Sequence, residues 1–174
     1  MRITSLGKCL AIACALTRAD AALAPIMPAA HAASLYAIPK YAAILVNSDT
    51  GEVLYARQAD AVRFPASITK VMTLYVAFQE LRDGNIRDSD LIRISTFASR
   101  QPPSKLGLRP GEKISVREAM AIIATKSAND IAVALAEYIS GSEEAFADRM
   151  TREARRLGMS RTRFVNATGL PNPD

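Results

Sequence analysis

The stretch Phe64-Pro65-Ala66-Ser67-Ile68-Thr69-Lys70 constrains this chain more than any other, because it opens a helix that needs a core beside it. Pro65 suits a helix entry. After it, Ile68, Val71, Met72, Tyr75 and Val76 recur at spacings of three and four, an apolar stripe predicted to face inward. Ser67 and Lys70 lie three apart, one turn above each other on a single helical face. A hydroxyl beside an amine is a candidate nucleophile and base, provided burial and neighbouring charge lower the lysine's proton affinity. Ser5-Leu6-Gly7-Lys8 repeats the spacing, so the four-residue pattern alone is equally a serine cap followed by a solvated first-turn lysine.

The first 32 residues read as a secretory leader. Arg2 and Lys8 give a positive start, Cys9 to Leu16 a short apolar run, and Ala30-His31-Ala32 a small-residue cleavage site. Arg18 and Asp20 interrupt the apolar character. An uncleaved membrane anchor is the alternative, but no uninterrupted apolar run approaches the ~20 residues of a spanning helix. The expected organisation is a signal peptide over 1–32 and one domain over 33–174, exported.

That division removes whole classes of chemistry. Cys9, Cys14 and His31 are the only cysteines and histidine, and all lie in the leader. From Ala33 onward, disulfides, thiol nucleophiles, the usual zinc sites and a Ser-His-Asp triad are excluded. No metal or cofactor is expected, and lysine is the remaining base for a serine nucleophile. The leader carries three basic residues and one acidic, so the whole-chain charge of +5 falls to +3 without it. Arg149, Arg152, Arg155, Arg156, Arg161 and Arg163 hold much of the basic character. Asp148 and Glu153 interleave with them, which reads as a solvated helix face and gives no nucleic-acid surface. Weak peripheral association with an anionic membrane surface is compatible with this charge.

Tyr41 to Asn47 is predicted as a buried strand, Ser48-Asp49-Thr50-Gly51 as a turn, and Glu52 to Arg57 as the returning strand of a hairpin. The helix after Ser67 is expected to run to about Arg82 and stop at Asp83-Gly84. Asp90 to Ile94 reads as a short strand, and Ser99 to Glu112, with three prolines and two glycines, as a loop. Ser115-Val116-Arg117-Glu118 is a capping box opening a helix through Ile123. After a polar break over Thr125 to Asp130, a helix places Ile131, Ala134, Leu135, Tyr138 and Ile139 on one face and stops at Gly141. Ser142 then caps a helix with Phe146, Met150 and Leu157 inward, closed by Gly158. Thr162 to Asp174 is read as a strand followed by turns.

Ser127-Ala128-Asn129 falls in the break between two helices, where a hydroxyl and a carboxamide can face one pocket; either could equally cap the following helix. An S-x-x-K opening a helix and an S-x-N in a helix–helix break about sixty residues later form a rarer combination than either alone. With these motifs the sequence resembles the serine D-alanyl-D-alanine carboxypeptidases, low-molecular-mass penicillin-binding proteins. The resemblance spans residues 33–174. It includes Asp49-Thr50-Gly51, Phe64 to Lys70, Leu108-Arg109-Pro110-Gly111-Glu112, Lys126 to Asp130, Gly141 to Phe146, Phe164-Val165-Asn166 and Gly169-Leu170. Class A β-lactamases carry Asp where Ala128 stands, which favours the carboxypeptidase branch.

The resemblance implies a mixed α/β fold, antiparallel strands packed on a helical cluster centred on the helix after Ser67. It implies that Ser67 attacks the penultimate D-alanine carbonyl of a peptidoglycan pentapeptide while Lys70 takes its proton. Ser127 would relay a proton to the leaving D-alanine, and Asn129 would hold the substrate amide. β-Lactams would acylate Ser67 and leave slowly, and the protein would act in the periplasm or on the outer face of the cytoplasmic membrane. The family's third element, Lys-Thr-Gly, does not occur in the 174 residues. In the family it supplies one oxyanion-hole donor and binds the terminal carboxylate; losing one such donor typically costs about 10²–10³ in turnover. The chain is therefore expected to be the N-terminal part of the catalytic domain. The alternatives are a β-lactamase or esterase of the same fold, and a truncated, inactive peptidoglycan-binding pseudoenzyme.

Overall fold

The computed structural model describes residues 41–171. The predicted leader over 1–32 lies outside them, with Cys9, Cys14 and His31. The chain divides into two compact units between Ala59 and Asp60.

In the first unit, β1 (Ala43–Val46) and β2 (Val53–Arg57) pair antiparallel, with Ala43 opposite Arg57 and Leu45 opposite Tyr55. The turn forms because Asn47 Oδ1 accepts from the Asp49 and Thr50 N–H groups at 2.9 and 3.1 Å, while Gly51 adopts φ +74°. The predicted hairpin is present, but Tyr41–Asn47 is not a buried strand. Ile44, Leu45 and Val46 are exposed at 58%, 56% and 43%, because a two-stranded ribbon by itself can bury neither face.

The second unit begins its regular structure with a 3-10 turn, Ala66–Ile68, that runs into α1 (Thr69–Arg82). β3 (Leu91–Arg93), α2 (Thr96–Ser99) and β4 (Lys113–Ser115) follow. α3 (Val116–Lys126), α4 (Asn129–Ser140) and α5 (Glu143–Arg156) complete it. β3 and β4 pair antiparallel with Ile92 opposite Ile114, both buried. The mixed α and β class is as expected. Its centre is α4, which packs against α1, α2, α3, α5 and β3, and whose residues Asn129 to Ala136 are all buried. The run Ile131-Ala132-Val133-Ala134-Leu135-Ala136 is apolar around the whole circumference, and such a helix is stable only when surrounded. α1, expected at the centre, is one wall of the cluster.

Only Met72 and Val76 of the predicted α1 stripe point inward, alongside Thr69, Lys70, Thr73 and Ala77. Ile68 and Val71 are 70% and 67% exposed. The helix carries two apolar stripes, and periodicity cannot choose between them.

Helix ends follow local chemistry closely. Ser115 Oγ accepts from the Glu118 N–H at 3.2 Å and Glu118 Oε2 from the Ser115 N–H at 3.1 Å, the predicted capping box, although α3 continues past Ile123 to Lys126. Gly141, at φ +82°, ends α4, and Ser142 Oγ caps α5 through the Ala145 N–H at 3.1 Å. Phe146 and Met150 are buried as predicted. Leu157 is exposed instead of inward, because α5 ends at Arg156 and the chain turns away there. No strand forms over residues 162–171, which are irregular, with bends at Val165, Ala167 and Thr168. Among the described residues no helix is long and apolar enough to cross a membrane.

Candidate active site

Ser67 lies in the middle of the 3-10 turn, and Lys70 in the first turn of α1. Neither this turn nor α1 has a side-chain cap, so Ser67 does not serve as the helix cap that the bare motif allowed. Lys70 is not solvated either: the residue is 3% exposed. Its Nζ lies 3.3 Å from Ser67 Oγ and donates to the Thr168 carbonyl at 2.8 Å. Burial pushes the Lys70 amine below lysine's ordinary proton affinity. Among the described residues no neighbouring cation contributes to that shift, so burial alone supplies what the sequence reading assigned to burial and charge together. A neutral amine held here donates one N–H to Thr168 and turns its lone pair toward the Ser67 hydroxyl.

Ser127 ends α3 in the left-handed region, φ 58° and ψ 36°. The reversal lifts its side chain off the helical surface and into a cavity of about 300 Å³ shared with Ser67, Lys70, Val71, Leu74 and Ile123. Ala128, not Ser127 or Asn129, is the N-cap of α4, and no side chain caps that helix. Ala66, just before the nucleophile candidate, is also left-handed at φ 50°. Such non-glycine positions cost about 1–3 kcal/mol and persist only where surrounding contacts enforce them.

Those contacts come from two loops. On one side, Asn129 N–H donates to the Ser104 carbonyl at 2.7 Å and Asn129 Nδ2 to the Pro102 carbonyl at 2.9 Å. Ser104 Oγ donates to the Lys126 carbonyl at 2.9 Å. The buried Asp130 carboxylate accepts from the Leu106 and Gly107 N–H groups at 3.0 and 2.8 Å. The 102–107 loop is thus fastened across the Ser127-Ala128-Asn129 break. The structure gathers Ser67, Lys70 and Ser127 around one cavity, and places Asn129 beneath this loop, outside the residues that line the cavity.

On the other side, residues 166–169 press against the Ser67 turn. Asn166 Oδ1 accepts from the Thr168 and Gly169 N–H groups at 3.2 and 2.7 Å, which folds the loop on itself. Thr73 Oγ1 donates to the Ala167 carbonyl at 2.8 Å, one helical turn beyond the bond from Lys70 to Thr168. Gly169, at φ +78°, has no room for a Cβ, which would overlap the Ala66 carbonyl and lie 2.7 Å from Thr69 Oγ1. Sequence reasoning missed Thr73, Ala167 and Thr168 as parts of the site. Asn166-x-x-Gly169 is the one available signal, a turn signature in a segment read as a strand followed by turns.

Comparison with known proteins agrees with this architecture. The sequence model of the D-alanyl-D-alanine carboxypeptidases, peptidase family S11, matches residues 28–174. D-alanyl-D-alanine carboxypeptidase DacF of Bacillus subtilis is 44% identical over 128 residues, covering 74% of this chain and 33% of that protein. The crystal structure of the carboxypeptidase DacD from Francisella tularensis superposes with a TM-score of 0.75 at 36% identity, over 79% of this chain and 33% of that one. Penicillin-binding protein 5 from Haemophilus influenzae gives a TM-score of 0.72 at 33% identity, over 76% of this chain and 39% of that one. The chain spans about a third of the length of the curated relatives it matches. With a paired Ser67 and Lys70, the matching fold and a family match over most of its length, this chain belongs to the D-alanyl-D-alanine carboxypeptidase family, peptidase S11.

Proposed function

We propose that this chain carries the nucleophile side of a serine D-alanyl-D-alanine carboxypeptidase, which removes the terminal D-alanine from peptidoglycan stem peptides through an acyl-enzyme. The observation that carries the reading is the buried Lys70 amine, 3.3 Å from Ser67 Oγ and depressed in proton affinity by burial.

Ser67 Oγ bonds to the penultimate D-alanine carbonyl carbon as its proton passes to Lys70 Nζ. The Ser67 backbone N–H provides one donor to the developing oxyanion. On collapse the carbon–nitrogen bond breaks, and Ser127 relays the proton held on Lys70 to the departing amine, which leaves Lys70 neutral again. Water then cleaves the ester; its proton passes by way of Lys70 to the released Ser67 oxygen, which restores both residues. In this reading Asn129 holds the substrate amide, which requires the carboxamide to engage ligand from beneath the 102–107 loop. A β-lactam enters by the same acylation and departs slowly, which accords with the penicillin-binding name of the Haemophilus relative. Residues 1–32 act as the export signal and residues 33–174 form the N-terminal part of the catalytic domain. The protein works in the periplasm or on the outer face of the cytoplasmic membrane, where a peripheral contact with the membrane surface fits the net positive charge.

The test is an intact mass of the protein in its native envelope, before and after exposure to a penicillin. One stable penicilloyl adduct, absent in Ser67→Ala, is expected. Rapid turnover of the drug without a lasting adduct would move the chain to the β-lactamases. Folded protein that never forms an adduct would leave it a binding protein without catalysis.

A further inference from the structure

Glu143 opens α5 and is a half-buried carboxylate bonded to the loop beside Lys70, with no part assigned to it in the reaction. Its Oε1 accepts from the Ala167 N–H at 2.9 Å. The carbonyl of the same residue accepts from Thr73 Oγ1 at 2.8 Å, so the Ala167 unit is gripped at both polar ends, from α5 and from α1. Ala167 and Thr168 are 0% and 2% exposed, and the next carbonyl, Thr168, receives the Lys70 amine at 2.8 Å. Of the groups that fix this loop, Asn166 acts within it and Thr73 shares a helix with Lys70. Glu143 ties the 166–169 loop directly to a third element, α5, from which Thr151 also holds Phe164 just before the loop.

We propose that Glu143 is a positioning residue for the general base: by fastening the Ala167 N–H to α5, it sets where the Thr168 carbonyl stands and so holds Lys70 against Ser67 in a dry site. The proposal rests on the assignment of Lys70 as the base. It needs an acceptor oxygen at the full reach of a glutamate side chain, and does not need the negative charge. Burial, with Glu144 and Glu137 nearby, raises the proton affinity of Glu143, and the Ala167 N–H opposes this, which is the environment of a carboxylate kept for its hydrogen bond.

Reach and charge separate in two variants of the full chain. Glu143→Gln keeps the reach and an acceptor oxygen; Glu143→Asp keeps the charge and withdraws the oxygen by one methylene. Two readouts are taken on folded protein: the penicillin acylation rate of Ser67, and the titration of the Lys70 amine by NMR with ¹³C-labelled lysine. There are six lysines in the chain, and Lys70→Met assigns the resonance. In Glu143→Asp, water reaches the amine. Its titration is expected to move up toward the ordinary lysine value, with acylation slowed tenfold or more. Glu143→Gln is expected to stay within about threefold of the parent rate, with its Lys70 titration in place.

A Lys70 titration that stays or falls in Glu143→Asp overturns the proposal, as does a Glu143→Gln variant that shifts as far as Glu143→Asp. The NMR arm does not depend on catalysis. If the parent chain forms no adduct, the assignment of function fails, and the amine titration still decides whether Glu143 positions Lys70. An Ala variant adds only the loss of the side chain and is not needed for the decision.

Discussion

The buried Lys70 amine gives stability and chemistry the same dependence on pH. Burial lowers its proton affinity in the folded chain below the unfolded value near 10.5, so across that interval the unfolded chain holds more protons. Stability therefore rises with pH through the window, the reverse of a lysine gaining a salt bridge. Denaturant midpoints measured from neutral pH toward 10.5 should show this rise in the parent and lose it in Lys70→Met. Acylation should climb over the same interval as the neutral amine accumulates, with its midpoint below 10.5. Lys70→Arg keeps a cation that cannot release its proton at these pH values, and should slow penicillin acylation by about 10²–10⁴-fold. The motif serine and lysine were legible in the sequence because side chains three apart on a helix share a face. The carbonyl of Thr168 was not, since a backbone acceptor carries no residue-type signature and lies 98 positions away.

Among the elements, the ends of helices were read best and their faces worst. Ser115, Gly141 and Ser142 act through their immediate neighbours, so the capping box and the two boundaries could be placed from a few residues. Ser115→Ala should cost about 1 kcal/mol in urea unfolding with the fold retained. Burial is decided by whatever element lies opposite, so the inward assignments of Ile68, Val71 and Leu157 failed where Met72, Phe146 and Met150 held. The fastening of the 102–107 loop belongs to this scale as well. Asp130 accepts from two N–H groups of the loop and from the Ile131 N–H, with no exposure of its own. Asp130→Ala strands those donors and should cost about 3 kcal/mol or more, seen in the same unfolding measurement, together with faster amide exchange at Leu106 and Gly107. Gly169→Ala tests the opposite loop. A Cβ there meets the Ala66 backbone, so the Ser67 turn must shift, and acylation should fall further than stability does.

For the molecule as a whole, the mixed α and β class was legible, while its centre was not. α4 shows no stripe to read, being apolar on every side, and α1 shows one stripe too many. The second stripe, Ile68, Val71, Tyr75 and Phe78, is exposed at 70%, 67%, 37% and 60%. Produced as the 174-residue chain, the protein should bind a hydrophobic dye at this face. Val71→Lys with Phe78→Lys should reduce that signal with little change in unfolding midpoint. The bond from Lys70 to Thr168 has a temporal meaning as well. A chain leaving the ribosome contains residues 69–82 long before residue 168 exists, and until then its lysine is an ordinary wet ammonium. Closing so long a loop is a late and entropically expensive event. In refolding, reactivity toward a penicillin should therefore return with the slowest phase, well after the helical signal. An incompletely folded chain would carry its nucleophile disarmed.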